Sequence, residues 1–165
     1  ILQKGDIIGL DIGIKSRGLY TDMAVSVGVG TLSPAAQRLL DVTKTALDRA
    51  IENVRPNATT GDIGAIIQEY IEGQGFGVVR DLVGHGVGRQ LHEEPMLPNF
   101  GIAGRGTRIM SGMVLAFEPM VTAGDWHVRT LEDGWSVVTA DGSLTAHFEH
   151  TVFVTENGCE VLTKE

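Results

Sequence analysis

Two apolar runs, Ile7 to Ile14 and Leu19 to Val29, flank the tetrapeptide Lys15-Ser16-Arg17-Gly18, and this leaves the start of the chain little choice of structure. Strand-like runs joined by a short glycine-containing turn form a β-hairpin. Each run carries one acid, Asp11 in the first and Asp22 in the second. The two are symmetric about a point between Ser16 and Arg17, so an even-numbered loop centred there sets them directly opposite each other. Like charges at such a pair, with Cβ atoms about 4.5–5.5 Å apart, are destabilising. Two carboxylates held that way need a cation or a shared proton between them. In the competing register, one residue out, one of them is an ordinary surface acid.

Two helices follow. Ser33-Pro34 is a helix start, with serine as N-cap and proline at the first position. Leu39, Leu40, Leu47, Ala50, Ile51 and Val54 then mark one face, and the helix stops before Arg55-Pro56. Thr59-Thr60-Gly61-Asp62 resembles a capping box, opening a helix with Ile63, Ile66, Ile67, Tyr70 and Ile71 turned inward. Both helices are expected to be packing layers against a sheet, and their charges solvated faces.

The stretch Gly84-His85-Gly86-Val87-Gly88-Arg89-Gln90-Leu91-His92-Glu93-Glu94-Pro95 has two histidines seven apart among alternate glycines. Glycine lets backbone come close to a ligand; alone, the stretch reads equally well as a plain surface loop. Pro95 to Gly106 is expected to be irregular. Met113 to Phe117 is a strand ending at Glu118-Pro119, and Trp126 to Val138 a hairpin around Glu132-Asp133-Gly134. After the Asp141-Gly142 turn, Ser143 to Thr155 is expected to be one long strand. Alternation puts His147, Glu149 and Thr151 on one of its faces, and Phe148, His150 and Val152 on the other. His150 therefore reads as a structural histidine, and His127 as a surface one.

The 165 residues fit one domain, 1–165, with a real core. A net charge of −8 argues against general nucleic-acid or anionic-membrane binding. A single cysteine, Cys159, forms no internal disulfide, which points to a reducing, cytoplasmic setting. It sits beside a turn and is expected to be inert. No apolar run reaches membrane-spanning length.

Asp11, Asp22, His85, Glu118 and Glu149 thus form a set of four carboxylates and one imidazole on strands or strand ends. Such oxygen-rich sites suit hard or borderline divalent ions. Four carboxylates are too many for one open zinc and about right for two ions with bridging carboxylates, which is hydrolytic chemistry. Other motifs fail: His92-Glu93-Glu94-Pro95-Met96 lacks the second histidine of H-E-x-x-H, and there is no nucleophile elbow, dinucleotide fingerprint or P-loop.

Asp11 and Asp22 eleven apart, the loop GHGVGRQLHEEP, and the segments LAFEPMVTAG and AHFEHTVFVTENG resemble type I methionine aminopeptidases from Gly5 to about Gly158. The resemblance implies an α+β pita-bread fold: a curved antiparallel sheet with helices on its outer side. Prolidase and aminopeptidase P share that fold and the five ligand types. The undivided HEEP and EPMVTAG segments favour the methionine enzymes, and the short span from Glu118 to Glu149 favours type I.

The resemblance also implies roles. Asp22 and Glu149 would bridge two metal ions (cobalt, manganese, iron, zinc or nickel). Asp11 would complete one ion's shell, and His85 with Glu118 the other's. His92 would contact the scissile amide, and Glu118 would accept the water's proton. Leu91, Met120 and Trp135 would line the methionine pocket, although Leu91 replaces a commoner aromatic.

The substrate would be a peptide or nascent-protein N-terminus with a small second residue. Family members begin well before the position of Ile1, with a part that supplies another active-site histidine, pocket wall and sheet strands. A companion N-terminal chain, proteolysis or a reduced variant would each account for that. The alternatives are an Xaa-Pro aminopeptidase or prolidase-like activity, or a non-catalytic binding module.

Overall fold

The computed structural model describes residues 1–164. Strands β1 (Ile7–Ser16) and β2 (Leu19–Gly28) form the expected hairpin, followed by helices α1 (Pro34–Asn53) and α2 (Thr60–Gly73). Short strands come next: β3 (Gly77–Val78), β4 (Gly84–Gly86), β5 (Glu93–Leu97), β6 (Val114–Phe117) and β7 (Met120–Thr122). The chain closes with β8 (Val128–Thr130), β9 (Val137–Thr139), β10 (Thr145–His147), β11 (Glu149–Val154) and β12 (Cys159–Val161). The main sheet is antiparallel, in the order β1-β2-β11-β6-β4-β5, with β12 beside β11. A smaller sheet runs β10-β7-β3, and β8 pairs with β9. No helix among the described residues is long and apolar enough to cross a membrane.

The helix ends are set by the side chains the sequence named. Ser33 Oγ accepts from the Ala36 amide at 3.2 Å. Thr59 and Asp62 cap reciprocally: Asp62 N–H donates to Thr59 Oγ1, and Thr59 N–H to Asp62 Oδ2. Leu39, Leu47, Ile63, Ile67 and Ile71 are fully buried against Leu115, Val121 and Val152 of the sheets. The helices thus cover one side of the curved sheet, as expected. Burying each such side chain stabilises by roughly 1.5–3 kcal/mol.

Three expectations need correction. The hairpin turn is Arg17-Gly18, both at positive φ (50° and 86°), the geometry of a two-residue turn matched to strand twist. Its centre is one residue later than expected, so Asp11 pairs with Ala24 and Asp22 with Gly13. The two acids are diagonal neighbours on one face, not directly opposed. Second, Pro95 lies inside β5 rather than in an irregular segment. β5 is the edge of the main sheet, where a missing N–H is tolerated. Third, the long final strand is broken at Phe148 into β10 and β11, which belong to different sheets. Ser26 Oγ causes the switch: it accepts from the His147 amide and donates to the His147 carbonyl, each at 2.9 Å, in place of ladder partners.

Leu10, Ile12 and Ile14 alternate with Asp11 along β1, the other edge strand, and are about half exposed. The acid therefore faces the concave, polar side and the aliphatic row the opposite one.

Candidate metal centre

Asp22, Glu149, Glu118 and His85 come from four consecutive strands of the main sheet. Asp22 is on β2, Glu149 opens β11, Glu118 follows β6 directly, and His85 is central in β4. Asp11 reaches in from β1. Three groups have donor atoms all within 4.8 Å of one another: Asp11, Asp22 and Glu149; His85, Glu118 and Glu149; and Asp22, His85 and His92. Asp22 and Glu149 each belong to two of these groups, Asp11 and Glu118 to one. The sequence-predicted set is thus brought together, and the two acids expected to bridge occupy its middle.

His85 is oriented by its own backbone. Its Nδ1 lies 2.9 Å from the Gly86 carbonyl, which can only accept, so Nδ1 carries the proton and Nε2 presents a lone pair. That Nε2 lies 3.6 Å from Glu118 Oε1, 3.8 Å from Asp22 Oδ2 and 4.0 Å from Glu149 Oε1. The His92 ring stands edge-on to it, centroids 4.4 Å apart. Both histidines open onto a cleft of about 580 Å³, lined also by Gln90, Glu94 and Met96.

The backbone around the acids is held as firmly. Thr151 Oγ1, fully buried, accepts from the Asp22 amide at 2.8 Å and donates to the Asp22 carbonyl at 2.7 Å. Buried Asn99 donates to the Glu118 carbonyl at 3.0 Å. Gly88 O accepts from Tyr20 N–H at 2.7 Å, tying the histidine loop to β2.

The electrostatics are those of a site short of positive charge. Glu149 is 2% exposed, and its Oε1 has no hydrogen-bond partner among the described residues. Burial, reinforced by Glu118, Asp22 and Asp11, pushes its pKa up to about 9. Burial and Asp11 likewise raise Asp22. No Lys or Arg among the described residues forms an ion pair with any of the four acids; the nitrogens nearest to Asp22, Glu118 and Glu149 are those of His85 and His147. Native proteins seldom leave a buried carboxylate oxygen unpaired. Divalent cations fit this donor set and would reverse each of these penalties.

A sequence model of metallopeptidase family M24 matches residues 1–156. The chain belongs to metallopeptidase family M24. It is 49% identical over 162 residues to a methionine aminopeptidase of Clostridium perfringens, covering 98% of this chain and 65% of that protein. Methionine aminopeptidase 1 of Bacillus subtilis is 46% identical over 164 residues, covering 99% and 66%. The crystal structure of methionine aminopeptidase from Thermotoga maritima superposes with a TM-score of 0.98 at 50% identity, covering 100% of this chain and 66% of that one. The curled antiparallel sheet backed by two helices is the pita-bread fold that the sequence resemblance implied. This M24 chain spans about two thirds of the length of these relatives.

The expected pocket residues are placed unevenly in the M24 fold. Leu91 packs on Gly13, where a Cβ would meet its Cδ1 at 2.9 Å and Asp22 Oδ1 at 3.6 Å, so it borders the cluster. Met120 lines a cavity of about 180 Å³ with Val79, Val128, Ala146 and His147. Trp135 lies in the connection between β8 and β9 and is 88% exposed. Asp133 caps that connection by accepting from the amides of Trp135 and Ser136. His150 turns away from the cluster to Thr163 Oγ1 at 2.9 Å, and His127 pairs with Asp125 on the surface, both as expected. Cys159 Sγ contacts the Ile51 carbonyl, and burial raises its pKa, in keeping with an inert thiol.

Two contributors were missed. Thr151 and His147 both lie on the polar face that alternation assigned to Glu149, which was the available signal. Thr151→Val keeps the volume but strips two buried backbone groups of Asp22 of their partner. It should cost about 2–3 kcal/mol in urea unfolding, since stranding a buried group costs about 1–3 kcal/mol. It should also weaken Co²⁺ binding about 10-fold in calorimetry.

Proposed function

We propose that this chain carries the metal centre of an aminopeptidase that removes the N-terminal methionine from peptides and nascent proteins. The observation that carries the reading is the convergence of Asp11, Asp22, His85, Glu118 and Glu149 with no Lys or Arg paired to the acids among the described residues. The similarity to proteins named methionine aminopeptidase supports this activity over cleavage before proline and over a binding module. Residues 1–165 form one catalytic domain acting in the cytoplasm.

Two divalent ions held here, whether cobalt, manganese, iron, zinc or nickel, would lower the pKa of water and polarise the scissile carbonyl. Asp22 and Glu149 would hold both ions, Asp11 one of them, and His85 with Glu118 the other. Glu118 accepts the attacking water's proton and returns it to the departing amine. His92, exposed at the mouth of the cleft beside His85, donates to the scissile amide and to the oxygen that gains charge in the transition state. Leu91 and Met120 offer apolar surface to the methionine side chain, and the exposed indole of Trp135 is the surface that a bound side chain would cover.

The test is hydrolysis of Met-Ala-Ser and of an Xaa-Pro peptide by the metal-loaded protein. Methionine release without Xaa-Pro cleavage is expected. Cleavage of only the Xaa-Pro peptide would move the assignment to the proline-directed branch, and peptide binding without cleavage of either would make the chain a binding module. Glu118→Gln should lower kcat by about 10²–10⁴, the range for losing a general acid–base group. Metal content is measured on the same sample, because Glu118 is also a ligand.

A further inference from the structure

The strand break at Phe148 delivers a third imidazole to the centre, after those of His85 and His92. His147 ends β10, and its Nε2 is buried with no hydrogen-bond partner among the described residues. It lies 3.2 Å from Glu118 Oε2. Glu118 Oε1 is 3.6 Å from His85 Nε2 on the other side. The Glu118 carboxylate is therefore flanked by two imidazoles, one at each oxygen.

The His147 backbone is fixed independently of the acids. Buried Ser26 grips its amide and carbonyl, and β10 pairs it with Met120, two residues beyond Glu118. His147 belongs to none of the three groups of donor atoms that could share an ion. It is placed to touch a ligand rather than to be one. A carboxylate that supplies one oxygen to a metal is orientationally soft, because rotation about its last bond exchanges the oxygens. An N–H on the outer oxygen removes that freedom, and losing such a partner typically costs about 10–100-fold in metal affinity.

We propose that His147 is a positioning residue for Glu118: from 3.2 Å, a small turn of the ring brings Nε2–H onto Oε2 when the centre is loaded, which would leave Oε1 free on the His85 side to hold metal. The proposal rests on the metal-centre reading above. It makes the carboxylate's orientation a property of β10, while the carboxylate itself belongs to the β6–β7 junction.

The test is a Co²⁺ titration of the full chain, followed by calorimetry and by visible absorption of the bound cobalt. His147→Phe keeps a flat ring and removes the nitrogens; His147→Gln keeps an N–H at similar reach. Wild type is expected to take up two equivalents. His147→Phe should weaken one of them about 10-fold or more and alter the cobalt absorption, and His147→Gln should restore most of the affinity. Wild-type affinities and spectrum in His147→Phe would overturn the proposal. So would a Gln variant as weak as the Phe variant, because shape alone would then explain the loss. A wild-type chain that takes up no Co²⁺ would sink the metal-centre reading before any variant was compared.

Discussion

Glu149→Gln is expected to raise the melting temperature of the metal-free chain while destroying its capacity to bind metal. Glu149 is buried with one oxygen unpaired, and its pKa is pushed from 4.5 up to about 9, first by burial and then by Glu118, Asp22 and Asp11. The folded state thus keeps a proton that the unfolded state has released. The stability this supplies is fully present below the unfolded pKa, near 4.5, and is lost as pH rises towards about 9. Glutamine, neutral throughout, escapes that loss. Its advantage should be negligible at pH 4 and reach roughly 2–4 kcal/mol at pH 8, the scale of an uncompensated buried charge.

Added Co²⁺ should reverse the order. A ligand at 100 times its Kd stabilises the native state by about 2.7 kcal/mol, and only the wild type can collect that stabilisation. Thermal melts of both proteins with chelator and with Co²⁺, at pH 4 and pH 8, contain the whole prediction. A glutamine variant that melts below wild type in chelator at pH 8 would refute it.

The second large effect concerns packing. Gly84 and Gly86 flank His85 in β4, between β5 and β6. A Cβ on Gly86 would run into the Glu94 carbonyl oxygen, and one on Gly84 into the Ala116 carbonyl oxygen. These obstacles are backbone of paired strands and cannot rotate aside. Gly86→Ala should therefore cost about 3–5 kcal/mol, in the upper range for overpacking. At about 2–4 °C per kcal/mol for a chain of this size, the melting point should fall by roughly 10 °C. Gly73→Ala provides the control: nothing lies within 4 Å of its Cβ position at the end of α2. There the higher helix propensity of alanine should stabilise, by up to about 1 kcal/mol. Parallel urea titrations should show the same substitution acting with opposite signs.

Elements decided by local chemistry were readable in the sequence. Ser33-Pro34 and Thr59 with Asp62 start helices because their side chains satisfy amides a few residues away. The four acids of the candidate ligand set could be named because acids within or at the ends of apolar runs need a reason to be there, and His85 because it stands between glycines. What escaped depends on partners distant in sequence. The hairpin register turns on which two residues take positive φ. Choosing Arg17 and Gly18 over Ser16 and Arg17 keeps Asp11 and Asp22 on one face but makes them diagonal. The break at Phe148 depends on Ser26, more than a hundred residues earlier, and with it went the placement of His147 beside Glu118. Trp135 was named for the pocket through family resemblance alone, and spacing could not reveal that it would stand exposed in the β8–β9 connection.

The four candidate ligands Asp22, Glu149, Glu118 and His85 lie in a row across the strands β2, β11, β6 and β4, not along any one of them. Sliding any of these strands by one residue moves its ligand about 3.3 Å along the strand and turns it to the opposite face. Metal–ligand distances tolerate only about 0.2 Å. Ions bound there would therefore act as proofreaders of strand alignment: a sheet paired one step out of register would offer no site, and a chain able to take up metal would have passed inspection at four strands at once.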